Sequence, residues 1–185
     1  MKTIIRFANE ADALDILELQ IKYHGQNTSL KDKKERGFVT LLTQPSFLTL
    51  LIRQNQVAVC SNEDDCEIIG YALLIQPTDA CTIEFLRPLV VEIGAVSQNK
   101  FKIDSQANCI ILGQILVKPD YMGRGIGKAM LQKLEKSAKT PYIVTEVSNE
   151  NPRSLAFHYK NNFILEKKYT CAGQEFNIIS KNLLF

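Results

Sequence analysis

The sequence carries no excess of charge of either sign. Its 185 residues include 22 Lys and Arg against 20 Asp and Glu, which leaves a formal net charge of +2. Domains that bind nucleic acid or a membrane surface usually concentrate basic residues on one face. This balance therefore favours neither partner, and we expect no nucleic acid and no membrane among the protein's partners.

Long hydrophobic runs are also absent. Arg6 interrupts the first apolar stretch before the core of a signal peptide develops. The longest uncharged stretch, Phe38 to Ile52, is too short to cross a bilayer and contains Pro45. These features predict a cytoplasmic protein.

Cysteine and histidine are few and scattered. There are five cysteines and two histidines, and no two cysteines have the Cys-x-x-Cys spacing. A disulfide framework or a structural zinc site needs regularly spaced ligands, so both are disfavoured, and we expect no metal.

The sequence lacks internal repeats and Ser/Gly-rich linkers, so it predicts one domain over residues 1–185. The order of its apolar patterns is β-α-α-β-β-(α)-β-α-β-α-β-β, which is typical of an α/β protein with a mixed sheet. The expected strands cover Thr3–Ala8, Gln56–Cys60, Cys66–Ile75, Cys109–Val117, Tyr142–Val147, Phe163–Cys171 and Glu175–Leu184.

The expected helices are marked by their caps. Asn9, with Asp12 at the capping-box spacing, begins a helix over Glu10–Tyr23 that has Leu14, Leu17 and Ile21 on one face. Further helices are expected from Pro45 to near Asn55, over Gly125–Lys139 and from Pro152. A helix from Thr78 to Glu92 would be ended or kinked by Pro88, and the charged run Lys31–Arg36 is interpreted as a solvated segment.

The most informative segment joins a strand to a helix through three glycines. The strand Cys109–Val117 leads into it, and the amphipathic stretch Gly125–Lys139 follows. Such a turn exposes backbone N–H groups, and the adjacent helix N-terminus adds positive potential, so the segment predicts a phosphate site. A Walker A loop is disfavoured because Met122 and Ala129 occupy its diagnostic positions, and the dinucleotide pattern G-x-G-x-x-G is absent.

The segment resembles the acyl-CoA-binding motif of the GNAT superfamily of N-acetyltransferases, Gln/Arg-x-x-Gly-x-Gly/Ala after a strand ending in Val-x-Pro. Here the motif is Met122-Gly123-Arg124-Gly125-Ile126-Gly127 after Val117-Lys118-Pro119. Met122 departs from the usual Gln or Arg.

A second segment resembles a later motif of the same family, Val-x-x-x-Asn-x-x-Ala/Ser followed by an aromatic residue or His and then Gly-Phe. Here it begins at Val147, passes through Asn151 and Ser154, and ends at Asn162-Phe163. Asn162 replaces the usual Gly, a mild departure because Asn tolerates the left-handed conformation at a helix end.

The resemblance implies a GNAT fold and transfer of an acetyl group from acetyl-CoA to an amine by direct attack. It also implies that the backbone near Leu116 and Val117 polarises the thioester carbonyl. The residues expected to bind the cofactor are Leu116, Val117, Met122, Gly123, Arg124, Gly125, Ile126, Gly127, Lys128, Asn151 and Ser154.

Three residues are candidates for proton transfer. Asn151, Ser154 and His158 share one stripe of a helix, and His158 occupies the place where the family commonly has the Tyr that protonates the thiolate. His158 is either that donor or a packing residue. Tyr159 is a weaker candidate and is expected in the core, and Glu146 on the preceding strand is the candidate base.

The sequence leaves the acceptor open between a small-molecule amine and a peptide amine. The resemblance implies that Lys22 to Pro45 line the acceptor side. The long segment Gln76–Ala107 is expected either to cover the acceptor pocket or to form a contact in a homodimer. An alternative function is a degenerate family member that binds CoA as a regulatory ligand without turnover.

Overall fold

The computed structural model describes residues 2–64, 66–96 and 108–184, and of residues 95 and 96 it describes only the backbone. The strands are β1 Thr3–Phe7, β2 Val57–Asn62, β3 Ile68–Ile75, β4 Cys109–Val117, β5 Tyr142–Ser148, β6 Ile164–Cys171 and β7 Gln174–Asn182. The helices are α1 Ala13–Lys22, α2 Leu30–Arg36, α3 Pro45–Arg53, α4 Pro77–Ala80, α5 Arg87–Val96, α6 Ile126–Ser137 and α7 Pro152–Lys160.

The chain folds into two compact units. One contains the described residues of Met1–Leu74 and Gly113–Ser137, and the other contains those of Ile75–Leu112 and Ala138–Phe185. Strand β4 begins in the second unit and ends in the first. Across the described residues, no helix has both the length and the apolar character that a membrane span requires.

The first unit is built on the strand order β1-β2-β3-β4. β1 with β2 and β2 with β3 are antiparallel, and every residue of β2 and β3 is buried. Helix α6 packs on β1 and β2 and buries Ile126, Met130 and Leu134, as its sequence periodicity predicts. This apolar packing fixes the position of the turn that precedes α6.

The second unit has the strand order β4-β5-β7-β6. β4 and β5 are parallel, whereas β7 is antiparallel to both β5 and β6. Helix α7 packs beside β5, and α5 packs beside β6.

Most of the predicted elements are confirmed, including the mixed α/β sheet and the positions of its seven strands along the chain. The capping box of Asn9 and Asp12 is present, with the Asn9 side chain accepting from Ala11 N–H at 2.9 Å. Asn162 has a φ of 67°, so it takes the left-handed conformation predicted for the end of α7.

The predicted apolar face of the first helix is the exposed face. Leu14 is 73% exposed and Ile21 is 57% exposed, whereas Ile16, Leu19 and Gln20 are buried. The sequence could not identify the buried side because apolar residues occur on both sides of α1. Gln20 is accommodated in the interior because its Oε1 accepts hydrogen bonds from both the N–H and the hydroxyl of Thr43, each at 2.9 Å.

The predicted helix from Thr78 to Glu92 is wrong. Two helices replace it, and Pro88 is the second residue of α5 rather than the end of a helix. A proline lacks an N–H, which the first turn of a helix does not use, so Pro88 begins α5 instead of breaking it. The rest of the predicted covering segment, residues 97–107, lies outside the described residues.

The charged run Lys31–Arg36 is helical. It forms most of α2, which buries no residue, so the predicted exposure to solvent is confirmed but its secondary structure was missed. The missed signal is Ser29, whose hydroxyl accepts from Asp32 N–H at 3.1 Å as an N-cap.

Candidate functional site

The turn before α6 depends on two glycines in the left-handed region. Gly123 and Gly125 have φ values of 77° and 80°, which other residues adopt only with strain. A Cβ atom built at either position meets nothing within 4 Å. Glycine is therefore required here by the backbone conformation rather than by crowding, and no side chain from these two positions covers the backbone.

The first N–H groups of α6 lie in this turn. The first helical hydrogen bond runs from Ala129 N–H to the Gly125 carbonyl at 3.0 Å. Ile126, Gly127 and Lys128 precede it, and the first N–H groups of an α-helix have no carbonyl partner within the helix. They are donors suited to an anion, and the positive end of the helix dipole adds to their effect.

Arg124 turns back over the segment that precedes the glycines. Its Nη2 donates to the Asp120 carbonyl at 3.1 Å, and its guanidinium carbon lies 5.4 Å from the centre of the Tyr121 ring. Arg124 and Lys128 are both exposed, and Met122 is half-buried. The turn and the first residues of α6 therefore carry two exposed cationic side chains, Arg124 and Lys128.

At the end of β4, one backbone N–H points away from β3. Lys118 N–H donates to the Ile69 carbonyl of β3 at 2.8 Å. Because N–H groups of successive residues in an extended strand point to opposite edges, Leu116 N–H faces β3 and Val117 N–H faces the other edge. Leu116 and Val117 are the two residues expected to polarise the thioester carbonyl. Of these, Val117 has the backbone N–H that is not directed at β3.

Gly70 allows the close approach of β3 to this part of β4. A Cβ at position 70 would lie 2.8 Å from the Leu116 carbonyl oxygen and 3.4 Å from Val117 Cα. Any larger residue would displace backbone rather than a flexible side chain.

Both polar atoms of the Gln114 side chain form hydrogen bonds in the interior of the first unit. Its Oε1 accepts from the Tyr71 hydroxyl at 2.7 Å, and its Nε2 donates to the Leu41 carbonyl at 2.5 Å. Tyr71 is completely buried, which raises its pKa. The hydrogen bonds of Gln114 therefore connect β3 and β4 to the segment that follows α2.

In the second unit, the ladder between β4 and β5 is short. Its three pairs join Cys109–Ile111 to Tyr142–Val144. The next residue of β5, Thr145, uses its hydroxyl instead, donating to the Leu112 carbonyl at 2.8 Å. Glu146 follows and pairs through its backbone with Ile178 of β7.

Glu146 has the environment of a proton acceptor. Burial raises the pKa of its carboxyl group to about 7, and a hydrogen bond donated by the Tyr169 hydroxyl to Oε2 opposes that rise. A carboxyl group that titrates near neutral pH can accept and release a proton under physiological conditions. The sequence singled out Glu146 but not Tyr169, because no local pattern shows which residue of β6 lies near β5.

Helix α7 holds the predicted stripe of polar residues. The Asn151 side chain accepts from Ser154 N–H at 3.2 Å and caps the helix. His158 Nδ1 lies 2.7 Å from the Ser154 carbonyl oxygen and 3.4 Å from the Ser154 hydroxyl. Because the carbonyl can only accept, the proton of the neutral ring is on Nδ1.

His158 is enclosed by aromatic rings. It lies edge-on to Phe157 and Phe163, with ring centres 5.2 and 5.0 Å away. Burial lowers the pKa of its imidazole to about 4, and its Nε2 atom has no hydrogen-bond partner among the described residues. The imidazole is therefore uncharged at neutral pH.

Tyr159 does not lie in the core, contrary to expectation. Its side chain is 44% exposed, because α7 turns its buried side, with His158, toward Phe163. Tyr159 is therefore a surface residue rather than a core residue.

The sequence was compared with models of protein families and with curated proteins. Residues 15–163 match the acetyltransferase (GNAT) family. No curated protein matches the sequence.

Solved structures share the fold over nearly the whole chain. A putative acetyltransferase of Salmonella typhimurium, solved with acetyl-CoA, has a TM-score of 0.63 and 16% identity, covering 99% of this chain and 95% of the other. The PaiA N-acetyltransferase of Thermoplasma acidophilum, solved with coenzyme A, has a TM-score of 0.62 and 20% identity, covering 98% and 99%. An N-acetyltransferase of Staphylococcus aureus has a TM-score of 0.62 and 16% identity, covering 99% of both chains. The family match spans most of the sequence, and this chain belongs to the acetyltransferase (GNAT) family.

Proposed function

We propose that this protein transfers the acetyl group of acetyl-CoA to a primary amine of a small molecule or a peptide, by direct attack of the amine on the thioester. The observation that carries the proposal is the turn after β4, where Gly123 and Gly125 adopt positive φ ahead of the first N–H groups of α6. In the proposal, the amides from Gly123 to Lys128 bind the diphosphate of CoA, and Arg124 adds positive charge beside them.

The Val117 N–H is assigned to the thioester carbonyl. It points away from β3, and a donor aimed at the developing oxyanion stabilises the transition state by about 3 kcal/mol. Leu116 contributes apolar surface beside it. Asn151 and Ser154, at the start of α7, are assigned to the pantetheine arm, as the family resemblance implies.

We assign Glu146 as the group that accepts a proton from the attacking amine. An ammonium group is not nucleophilic, so the amine must lose a proton before or during attack, and a carboxyl group that titrates near neutral pH is suited to take it. When that proton has been transferred, the acetyl–nitrogen bond forms, the acetyl–sulfur bond breaks, and CoA leaves as a thiolate. The acetylated nitrogen then loses its second proton to solvent, which balances the proton that the thiolate gains.

Of the two candidates for protonation of that thiolate, we assign Tyr159. The Nδ1 proton of His158 is bonded to the Ser154 carbonyl, and its pKa of about 4 leaves no second proton to give at neutral pH. We therefore assign His158 to the packing of α7. Tyr159 carries a hydroxyl on an exposed side chain of the same helix.

The proposal is tested by thiol release from acetyl-CoA in the presence of a panel of amines and peptides. We expect at least one amine to raise the rate well above hydrolysis, and Glu146→Gln to lower that rate by about 10²–10⁴-fold while CoA binding persists. Binding of CoA without amine-dependent thiol release would contradict turnover and support the regulatory CoA-binding alternative.

A further inference from the structure

We propose that Tyr169 is a positioning residue for Glu146: its hydroxyl orients the carboxyl group and donates a hydrogen bond to it. This inference rests on the proposed role of Glu146 and adds a residue from another strand. Neither family motif includes Tyr169, which lies in β6 beyond both of them.

The register of the sheet places the two side chains on one face. Glu146 of β5 lies opposite Ile178 of β7, and Ile178 lies opposite Lys167 of β6. Directly opposed residues project to the same face of a sheet, and Tyr169 shares the face of Lys167 because it is two residues further along β6. The phenol can therefore reach across β7 to the carboxyl group.

The contacts of Tyr169 fix its hydroxyl. The hydroxyl donates to Glu146 Oε2, and the ring stacks on Phe176 with centres 5.6 Å apart and planes 28° apart. A ring held by a neighbouring ring has little rotational freedom, so the hydrogen bond holds the carboxyl group in one orientation.

Two of the other charged groups on this face, one lysine and one glutamate, are paired with each other. Lys167 Nζ lies 2.5 Å from Glu92 Oε2 of α5, so the lysine charge is balanced beside the Tyr169–Glu146 pair. Among the described residues, the remaining titratable groups on this face are Tyr142 of β5, the buried Cys109 of β4, Cys171 of β6 and Glu166 of β6, whose carboxylate accepts from the Ser180 hydroxyl at 2.5 Å. From β7, the residues between β5 and β6 on this face include Phe176, Ile178 and Ser180, none of which is titratable. The Tyr169 hydroxyl is thus the group that acts directly on Glu146.

This arrangement resolves a conflict between burial and function. Burial favours the protonated carboxyl group, which cannot accept a proton, whereas a hydrogen bond donated to the carboxylate favours the ionised form. The two effects leave the pKa of Glu146 at about 7. During the reaction the amine proton moves to Glu146, and the phenol keeps its own proton throughout.

The test is Tyr169→Phe, which removes the hydroxyl and keeps the ring on Phe176. Without the donor, the pKa of Glu146 rises, so the acidic limb of the kcat/KM profile, recorded from about pH 5 to about pH 9, moves upward by about one pH unit. Activity well below the limb then falls about tenfold, and activity on the alkaline plateau changes little. Carbon-13 NMR of labelled Glu, with the Glu146 signal assigned through Glu146→Gln, follows the same titration without substrate.

Tyr142→Phe is the matched control, because it removes a phenol hydroxyl from the same strand and face as Glu146. We expect it to leave both titrations unchanged. Site-specific 3-fluorotyrosine at position 169 preserves the shape, makes the phenol a stronger donor and must move both midpoints to lower pH. It keeps the proposal testable if Tyr169→Phe does not fold.

The outcomes separate the two proposals. Unchanged midpoints in the phenylalanine and fluorotyrosine variants would overturn the role of Tyr169. If the NMR midpoint moves while the acidic limb does not, the coupling of Tyr169 to Glu146 stands and the assignment of Glu146 as the base fails.

Discussion

At the scale of single residues, the proposed CoA site depends on two glycines in a left-handed conformation that strains most residues with a Cβ atom. Gly123 and Gly125 both have positive φ values, and neither is crowded. Their contribution is the backbone path that brings successive N–H groups to one place before α6. In the proposed site the side chains of the turn are secondary, so we expect Met122 to be tolerated in place of the usual Gln or Arg of the family motif.

Gly125→Ala should weaken CoA binding by about tenfold, because the left-handed conformation costs a residue with a Cβ atom about 1–2 kcal/mol and the turn relaxes away from it. Titration calorimetry measures the affinity, and urea denaturation measures the free energy of unfolding.

Gly173→Ala is the matched control for this prediction. Gly173 has a φ of 78° and equally open surroundings, but it lies in the turn between β6 and β7. It should lose similar stability and keep the CoA affinity of the unaltered protein. Equal losses of affinity in both variants would show that the turn before α6 has no special role.

At the scale of elements, local signals predicted more than long-range ones. β4, the glycine turn and α6 follow one another in the chain, so propensity, glycine positions and periodicity were sufficient to predict them. The cap of α7 at Asn151 and its end at Asn162 are equally local. The buried face of α1 and the contact of Tyr169 with Glu146 depend on packing between distant segments, which a single sequence does not show.

The end of β4 should be sensitive to a change in the neighbouring strand. Gly70→Ala places a methyl group 2.8 Å from the Leu116 carbonyl oxygen, so the backbone that presents the Val117 N–H must shift. We expect kcat to fall by about 10²-fold, because small displacements of an oxyanion donor are costly, while the Kd of CoA changes much less.

Ala72→Gly provides the comparison, since it loosens the same buried strand without adding an atom near Leu116. It should lower stability and leave kcat nearly unchanged. If kcat falls equally in the two variants, the loss comes from a weakened sheet and the assignment of the Val117 N–H is wrong.

At the scale of the whole molecule, the buried His158 and the half-buried Glu146 give stability opposite dependences on pH. The pKa of His158 falls from 6.5 to about 4 on folding, so its contribution is complete above pH 6.5 and is lost as the pH falls toward 4. The pKa of Glu146 rises from 4.5 to about 7, so its contribution is complete below pH 4.5 and is lost as the pH rises through 7.

Between about pH 5 and pH 6.5 these contributions largely cancel, and the free energy of unfolding should change little. His158→Phe removes one of them, so stability should then fall as the pH rises. Glu146→Gln removes the other, and stability should rise with pH by about 2 kcal/mol over this interval. Urea denaturation at several pH values measures the slopes, and identical slopes in all three proteins would contradict the burial of these groups.

In the proposed site, backbone amides before α6 bind the diphosphate of CoA, and titration calorimetry can measure this binding. CoA and pantetheine share the thiol arm, but only CoA carries the diphosphate. We expect CoA to bind at one site per chain, and pantetheine and ATP to bind at least about tenfold more weakly, because binding needs both the diphosphate and the arm. Absence of heat with CoA, or equal affinity for CoA and pantetheine, would contradict this proposal.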